Sequence, residues 1–236
     1  PSAEAQSSRP AGEWHATGGD HTNTKYSPLD QITADNFADL EMVWHWLTVD
    51  THLARSTGAG TTLVAAETLF DLLEQAEPER WAEWDGVRRS LTRPSIRALV
   101  ATPLMVNGVL YLSTALYRVA AIDARTGNLV WNTEVADYRS GYSKTAAPLI
   151  VKDKVVTGIA GGEFGIRGFI DSYDATTGDL DWRADTIPGP DHPDNQTWAG
   201  ESWRTGGSAS WITGAYDPDL DLVYWGTGNP GPDWNG

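Results

Sequence analysis

The chain has 236 residues, enough for one large domain or two small ones, and 40% of them are apolar, so a sizeable core is available. A formal net charge of −15 argues against a phosphate-backbone partner, and the lack of cysteine excludes disulfides and thiolate chemistry. With 24 glycines and 12 tryptophans, the composition suits many short strands and tight turns better than a helical bundle.

Residues 1–11 are small and polar and read as a disordered tail without a signal-like apolar core. The PSAEAQSSRP start marks a mature form or a fragment. No apolar run approaches the roughly 20 residues needed to span a bilayer. After Trp14 comes a loop-like stretch, GGDHTNTKYSPLDQI (Gly18 to Ile32). Thr33 is placed to cap a short helix over TADNFADL, and Met42 to Trp46 reads as a strand.

Residues 47–98 have a different character. Leu63, Ala66, Phe70 and Leu73 recur at helical spacing, Pro78 punctuates the pattern, and Trp81 and Trp84 lie one turn further on. Arg88, Arg89, Arg93 and Arg97 form the chain's basic cluster: either a solvated helix face, the blander and favoured option, or a partner-docking element. The stretch is expected to be a helical insertion.

From Ala101 the pattern turns to β. ATPLMVNGVLYLST holds two strand runs around Asn107-Gly108, the strongest short hairpin signal. A unit of strand, turn and strand then recurs: AIDARTGNLVW (Ala121 to Trp131), SYDATTGDLDW (Ser172 to Trp182) and, more loosely, AYDPDLDLVYW (Ala215 to Trp225). Asp123, Asp174 and Asp217 stand 51 and 43 residues apart, and Trp131, Trp182 and Trp225 keep the same offsets. Between copies lie further hairpins, such as APLIVKDKVVTGIA with Asp153-Lys154 at its turn. A period of this size with four strands per unit means propeller blades. In each copy the Asp accepts hydrogen bonds from its own turn, the Gly supplies positive φ, and the Trp is expected to be buried between blades.

The most informative stretch runs from Trp203 to Asn229, with glycines and small residues around Trp211 and a final Gly226-Thr227-Gly228-Asn229 turn. It reads as a floor for a flat cofactor with one metal ligand. Ala160-Gly161-Gly162-Glu163 reads as the other half of the same site.

With these repeats and motifs the sequence resembles the N-terminal part of the quinoprotein alcohol dehydrogenases, the methanol and ethanol dehydrogenase family that uses pyrroloquinoline quinone (PQQ). The repeat is similar to that family's tryptophan-docking motif, and the resemblance covers residues 14–46 and about 101–236. It implies an all-β, eight-bladed propeller of which about the first three blades are present, residues 12–236 forming this part with the 47–98 insertion. It further implies a periplasmic enzyme that oxidises an alcohol with PQQ and Ca2+ or a lanthanide, and passes electrons to cytochrome c or a similar acceptor. Carried over by position, Glu163 and Asn229 match metal ligands, and Trp211 the indole beneath the quinone ring. Thr145 matches a hydrogen-bond partner of the PQQ carboxylates, and Ala160, Gly161 and Gly162 the backbone at the ring edge. Arg118 matches a cationic partner of a PQQ carboxylate; on the residues alone it reads equally well as a strand-edge surface arginine.

Several departures accompany the match. The adjacent cysteine pair of the alcohol dehydrogenases is absent, and the segment that would carry it is missing between Trp131 and Thr145. Val100 stands where relatives often have a glutamate, and the insertion has no recognisable counterpart. The family's catalytic aspartate is expected beyond residue 236, so no catalytic base is assigned within the chain. Two other readings remain: a non-catalytic propeller scaffold built from the same repeat, and a quinoprotein glucose- or sugar-type dehydrogenase.

Overall fold

The computed structural model describes residues 12–19, 23–46, 101–114 and 117–231. The expected tail at 1–11, Val100 and the 47–98 insertion, with its helix and arginine cluster, lie outside the described residues. The chain divides into two compact units, Pro1–His45 with Leu99–Gly236, and Trp46–Ala98. All the described strands belong to the first unit.

Two four-stranded antiparallel sheets follow one another. The first comprises β1 (Leu104–Val106), β2 (Val109–Ser113), β3 (Arg118–Asp123) and β4 (Leu129–Glu134), and the second β5 (Leu149–Val151), β6 (Lys154–Gly158), β7 (Phe169–Asp174) and β8 (Leu180–Asp185). In both, spatial order equals chain order, the meander that short hairpin turns enforce. A third pair, β9 (Ala215–Asp217) and β10 (Leu222–Tyr224), is also antiparallel. This is the all-β propeller architecture expected from the repeat. The blades share a core that includes Tyr111, Val119, Trp131, Val155, Ile159, Phe169 and Tyr173.

The repeat's small parts act as their chemistry dictates. The Asp123 carboxylate accepts from the Thr126 hydroxyl and amide, both at 2.7 Å, and from the Arg125 amide at 3.1 Å. Asp174 accepts from the amides of Thr176 and Thr177, and Asp217 from those of Asp219 and Leu220. These bonds favour the ionised form: the Thr126 hydroxyl holds Asp123, and the Thr177 amide holds Asp174, below the usual carboxylate range. The ladder of each complete blade slips at the equivalent point, between Ala121 and Ile122 and between Ser172 and Tyr173.

The tryptophans dock on the turn of the following copy, so their burial depends on that turn. Trp131 is buried, donates to the Ala175 carbonyl at 2.9 Å, and lies so close to Gly178 that a β-carbon there would come 2.6 Å from its ring. Trp44, expected only as part of a strand, makes the same contact one copy earlier, donating to the Ala124 carbonyl at 3.0 Å over Gly127. Gly127 and Gly178 have φ of 73° and 76°, so a side chain at either would meet backbone strain as well as the indole.

Trp182 does not follow this rule. It is 47% exposed, against the expectation of burial. All of β8 is exposed with it. In the third copy Asp221 occupies the glycine's position with φ of 54° and pairs with Lys152 at 2.7 Å. Trp225 is half-buried and packs on Gly214 of its own hairpin, its indole donating to the Ser210 carbonyl at 3.2 Å.

Three local expectations also change. Met42 to Trp46 is no strand: it has no ladder partner among the described residues, and Val43 is 84% exposed. Thr33 caps nothing with its side chain. The Asn36 carboxamide instead accepts from the Thr33 amide at 2.7 Å and precedes a three-residue 3-10 turn, Phe37–Asp39. The second hairpin turns one residue earlier than expected, at Lys152-Asp153, with Lys152 at φ 55°. The Asn107-Gly108 turn forms as expected, with φ of 51° and 77°.

Trp131→Ala should cost about 3–5 kcal/mol, the range for deleting a buried aromatic ring, whereas Trp182→Ala should cost under about 1 kcal/mol. Denaturant midpoints of the two variants test the docking rule; equal losses would contradict it.

Candidate cofactor site

The two halves of the site are brought together by backbone. Residues 206–209 run between two neighbours. On one side the Gly207 amide donates to the Ile166 carbonyl at 2.9 Å, and the Gly168 amide to the Gly207 carbonyl at 2.8 Å. On the other, the Ser208 amide donates to the Asn229 carbonyl at 2.9 Å, and the Gly228 amide to the Ala209 carbonyl at 2.7 Å. Asn229 is thereby drawn toward the turn after β6 that carries Glu163, 66 residues earlier in the chain.

The approach is possible because two glycines face it. A β-carbon on Gly158 would overlap the Ser210 backbone, and one on Gly168 the Ser208 carbonyl. The buried Ser210 hydroxyl locks the contact, accepting from the Ile159 amide at 3.0 Å and donating to the Phe169 carbonyl at 2.5 Å. Small residues in this stretch are therefore required first for backbone packing.

A cavity of about 180 Å³ lies over this junction, lined by Ser143, Thr145, Ala160, Gly161, Gly162, Glu163, Ala209, Trp211, Gly228 and Asn229. Seven of the eight expected site residues thus share one cavity. Gly161, with φ of 115°, sits so close to the Gly141 carbonyl that no side chain fits there, which keeps the wall at Ala160–Gly162 thin. The Trp211 side chain is 51% exposed, and its carbonyl accepts from the Thr145 hydroxyl at 2.9 Å, tying the floor to the opposite wall. That bond uses the Thr145 proton, leaving its oxygen as an acceptor.

Glu163 is exposed to the cavity and has no ion-pair or hydrogen-bond partner among the described residues. The Asn229 carboxamide donates to the Pro230 carbonyl at 3.1 Å. A lone carboxylate and an amide oxygen in one cavity form a hard-oxygen donor pair, fitting calcium or a similar cation better than a soft metal. An open indole among glycines and alanines fits a flat ring. The described residues hold no cluster of three or more His, Asp or Glu, so a cation here would draw further ligands from bound molecules or other parts of the protein.

Arg118 is placed elsewhere. It opens β3 and donates to the Asn132 side chain at 2.9 Å and to Glu134 at 3.2 Å, a cross-strand ion pair. It does not line the cavity. Ser143 does, and was missed in the sequence because nothing there signalled its pairing with Ala160, in which each amide donates to the other's carbonyl, at 3.0 and 2.9 Å.

Behind the wall lies a buried polar network. Asp171 is fully buried and takes a bidentate pair of bonds from Arg183, both at 2.7 Å, and a third at 2.6 Å from the Tyr173 hydroxyl. Lys144, also buried, donates to the Thr157 hydroxyl at 2.5 Å and the Gly158 carbonyl at 2.8 Å. Burial pulls its ammonium down to about 7, against an opposing pull from Asp171.

Residues 14–75, 80–141 and 135–236 match the family described as the PQQ-type glucose/ethanol/alcohol dehydrogenase β-propeller domain. The chain belongs to this family. It is 35% identical over 241 residues to quinohemoprotein alcohol dehydrogenase ADH IIB of Pseudomonas putida, covering 95% of the chain and 35% of that protein. It is 32% identical over 261 residues to methanol dehydrogenase [cytochrome c] subunit 1 of Methylobacterium organophilum, covering 94% of the chain and 40% of the relative. Among solved structures it is similar to a europium-containing methanol dehydrogenase, with TM-score 0.53 and 40% identity over 55% of this chain and 26% of that one. The chain therefore spans about two fifths or less of the length of these proteins.

Lys144 gives the site a pH signature. The folded protein releases this proton at about 7, whereas the unfolded chain holds it to the ordinary value of 10.5. Between these values the unfolded state binds more protons, so stability should rise with pH there. Urea midpoints measured at about pH 7 and about pH 9.5 should show that rise, and Lys144→Met should remove this contribution; an identical pH profile in both proteins would contradict it.

Proposed function

We propose that this cavity is part of a PQQ site and that the intact protein is a quinoprotein alcohol dehydrogenase. The observation that carries the reading is the meeting of Glu163, Asn229 and Trp211 around one cavity. A propeller serving only as a scaffold needs the docking repeat but has no use for this donor pair over an open indole.

In this reading Glu163 and Asn229 hold a hard cation, calcium or a lanthanide, through carboxylate and amide oxygens. Trp211 carries the ring face, and Ala160, Gly161 and Gly162 keep the wall thin enough for its edge. Thr145 fixes the Trp211 backbone and presents its oxygen to the cavity. When bound, the quinone supplies the two-electron acceptor and the ion a Lewis acid. The chain's own residues bind, orient and screen; none of residues 1–236 matches the family's proton-abstracting aspartate.

The substrate is a primary or secondary alcohol, and the acceptor a cytochrome c or similar carrier. The relatives named for alcohol, methanol and cytochrome c support these assignments. The europium-containing neighbour supports a lanthanide as readily as calcium. The protein works in the periplasm, as the resemblance implies. Among the described residues no helix is long and apolar enough to cross a membrane.

In the full-length protein Glu163→Ala should lose the metal and, with it, retained PQQ. Trp211→Ala should weaken PQQ by ~1–3 kcal/mol, the range for an aromatic stacked on a planar base. Metal content and quinone titration by tryptophan fluorescence measure both, and wild-type values in both variants would refute the site. Residues 1–236 alone, given calcium and PQQ, should not reduce a redox dye with an alcohol. Steady turnover would mean that a base lies within these residues.

A further inference from the structure

Lys144 has no part in the cavity lining, yet it stands at the junction of both walls. Its chain neighbours Ser143 and Thr145 line the cavity. Lys144 itself is buried and does not line the cavity. It reaches the end of β6, donating to the Thr157 hydroxyl and the Gly158 carbonyl. Two residues beyond Gly158 the chain becomes the Ala160–Glu163 wall.

A buried lysine is an expensive way to fill a blade. A methionine of similar volume would avoid desolvating an ammonium. The nearest anion offers little relief, because the Asp171 oxygens on β7 already serve Tyr173 and the Arg183 guanidinium from β8. Stability therefore gives no reason for the charge, whereas directed hydrogen bonds between the two walls do.

We propose that Lys144 is a positioning residue for the candidate cofactor site, its ammonium clamping segment 143–145 to the end of β6 so that Ser143 and Thr145 stay in register with Ala160–Glu163. The proposal rests on the PQQ reading for what the register serves, but the clamp itself is a property of the cofactor-free protein. Charge-assisted bonds are roughly twice as strong as neutral ones, so the clamp loosens as the ammonium, pulled down to about 7 by burial, gives up its proton. The groups facing it are Asp171 and Arg183, with Thr157 and the Gly158 carbonyl at its tip.

Two measurements on the full-length protein test this. The first is hydrogen exchange without cofactor. The Ser143 and Ala160 amides, which bond to each other's residues across the walls, should lose roughly tenfold in protection in Lys144→Met, while global stability at neutral pH does not fall. Lys144→Gln, which keeps N–H donors without the charge, should restore part of the protection. The second is PQQ titration with calcium across about pH 6 to 8.5. Wild-type affinity should fall as Lys144 deprotonates, and Lys144→Met should bind roughly tenfold more weakly with a flat profile. Unchanged protection in Lys144→Met overturns the clamp whether or not the quinone binds. Lost protection with wild-type affinity and pH profile overturns its link to the site. If the wild-type protein binds no PQQ, the cofactor reading fails, and the exchange data alone decide the clamp.

Discussion

The architecture of the site depends on one close approach, that of the backbone at 206–210 to the ends of β6 and β7. Gly158 and Gly168 leave the space, and the Ser210 hydroxyl satisfies one amide and one carbonyl that burial would otherwise strand. An unpaired buried polar group costs about 1–3 kcal/mol, so this single side chain holds Ile159 and Phe169 to the segment that carries Trp211. It adds to the backbone bonds of Gly207 and Ser208 that give the Glu163 wall and the Asn229 turn a common frame. Long-range pairing through glycine and serine, rather than apolar burial, thus joins motifs from different blades.

The blades themselves are held by a different device. Two indoles dock on the glycine turn of the next copy and donate to the carbonyl three residues before that glycine, Trp44 over Gly127 and Trp131 over Gly178. The rule is directional, so a tryptophan's fate lies in the following repeat and not in its own. Trp182 makes no such contact among the described residues, and its indole, like the rest of β8, stays exposed.

That explains how far the sequence was legible. Turns and repeat spacing are encoded locally, so the aspartate turns, the Asn107-Gly108 hairpin and the four-stranded units are legible directly. Most of the cavity was legible because the Ala160–Glu163 and 203–229 stretches are distinctive glycine-rich motifs, while Thr145 came from the resemblance alone. Burial of Trp182 is not legible because docking is a long-range contact that the repeat itself does not encode. Arg118 is linked to a cofactor by the resemblance alone, and in the structure it pairs across the strands with Glu134. Ser143 and Lys144 carried no motif; their importance comes from pairing with Ala160 and Gly158, which only the folded chain reveals.

The central claim is that Glu163, Asn229 and Trp211 form one cofactor site, and a crystal structure of the full-length protein with PQQ and europium tests it most directly. The anomalous signal of the ion should lie about 2.3–2.6 Å from a Glu163 carboxylate oxygen and the Asn229 amide oxygen, the range for hard-cation oxygen ligands, with the quinone plane over the Trp211 indole. An ion bound away from either residue, or a quinone that leaves Trp211 uncovered, would contradict the account.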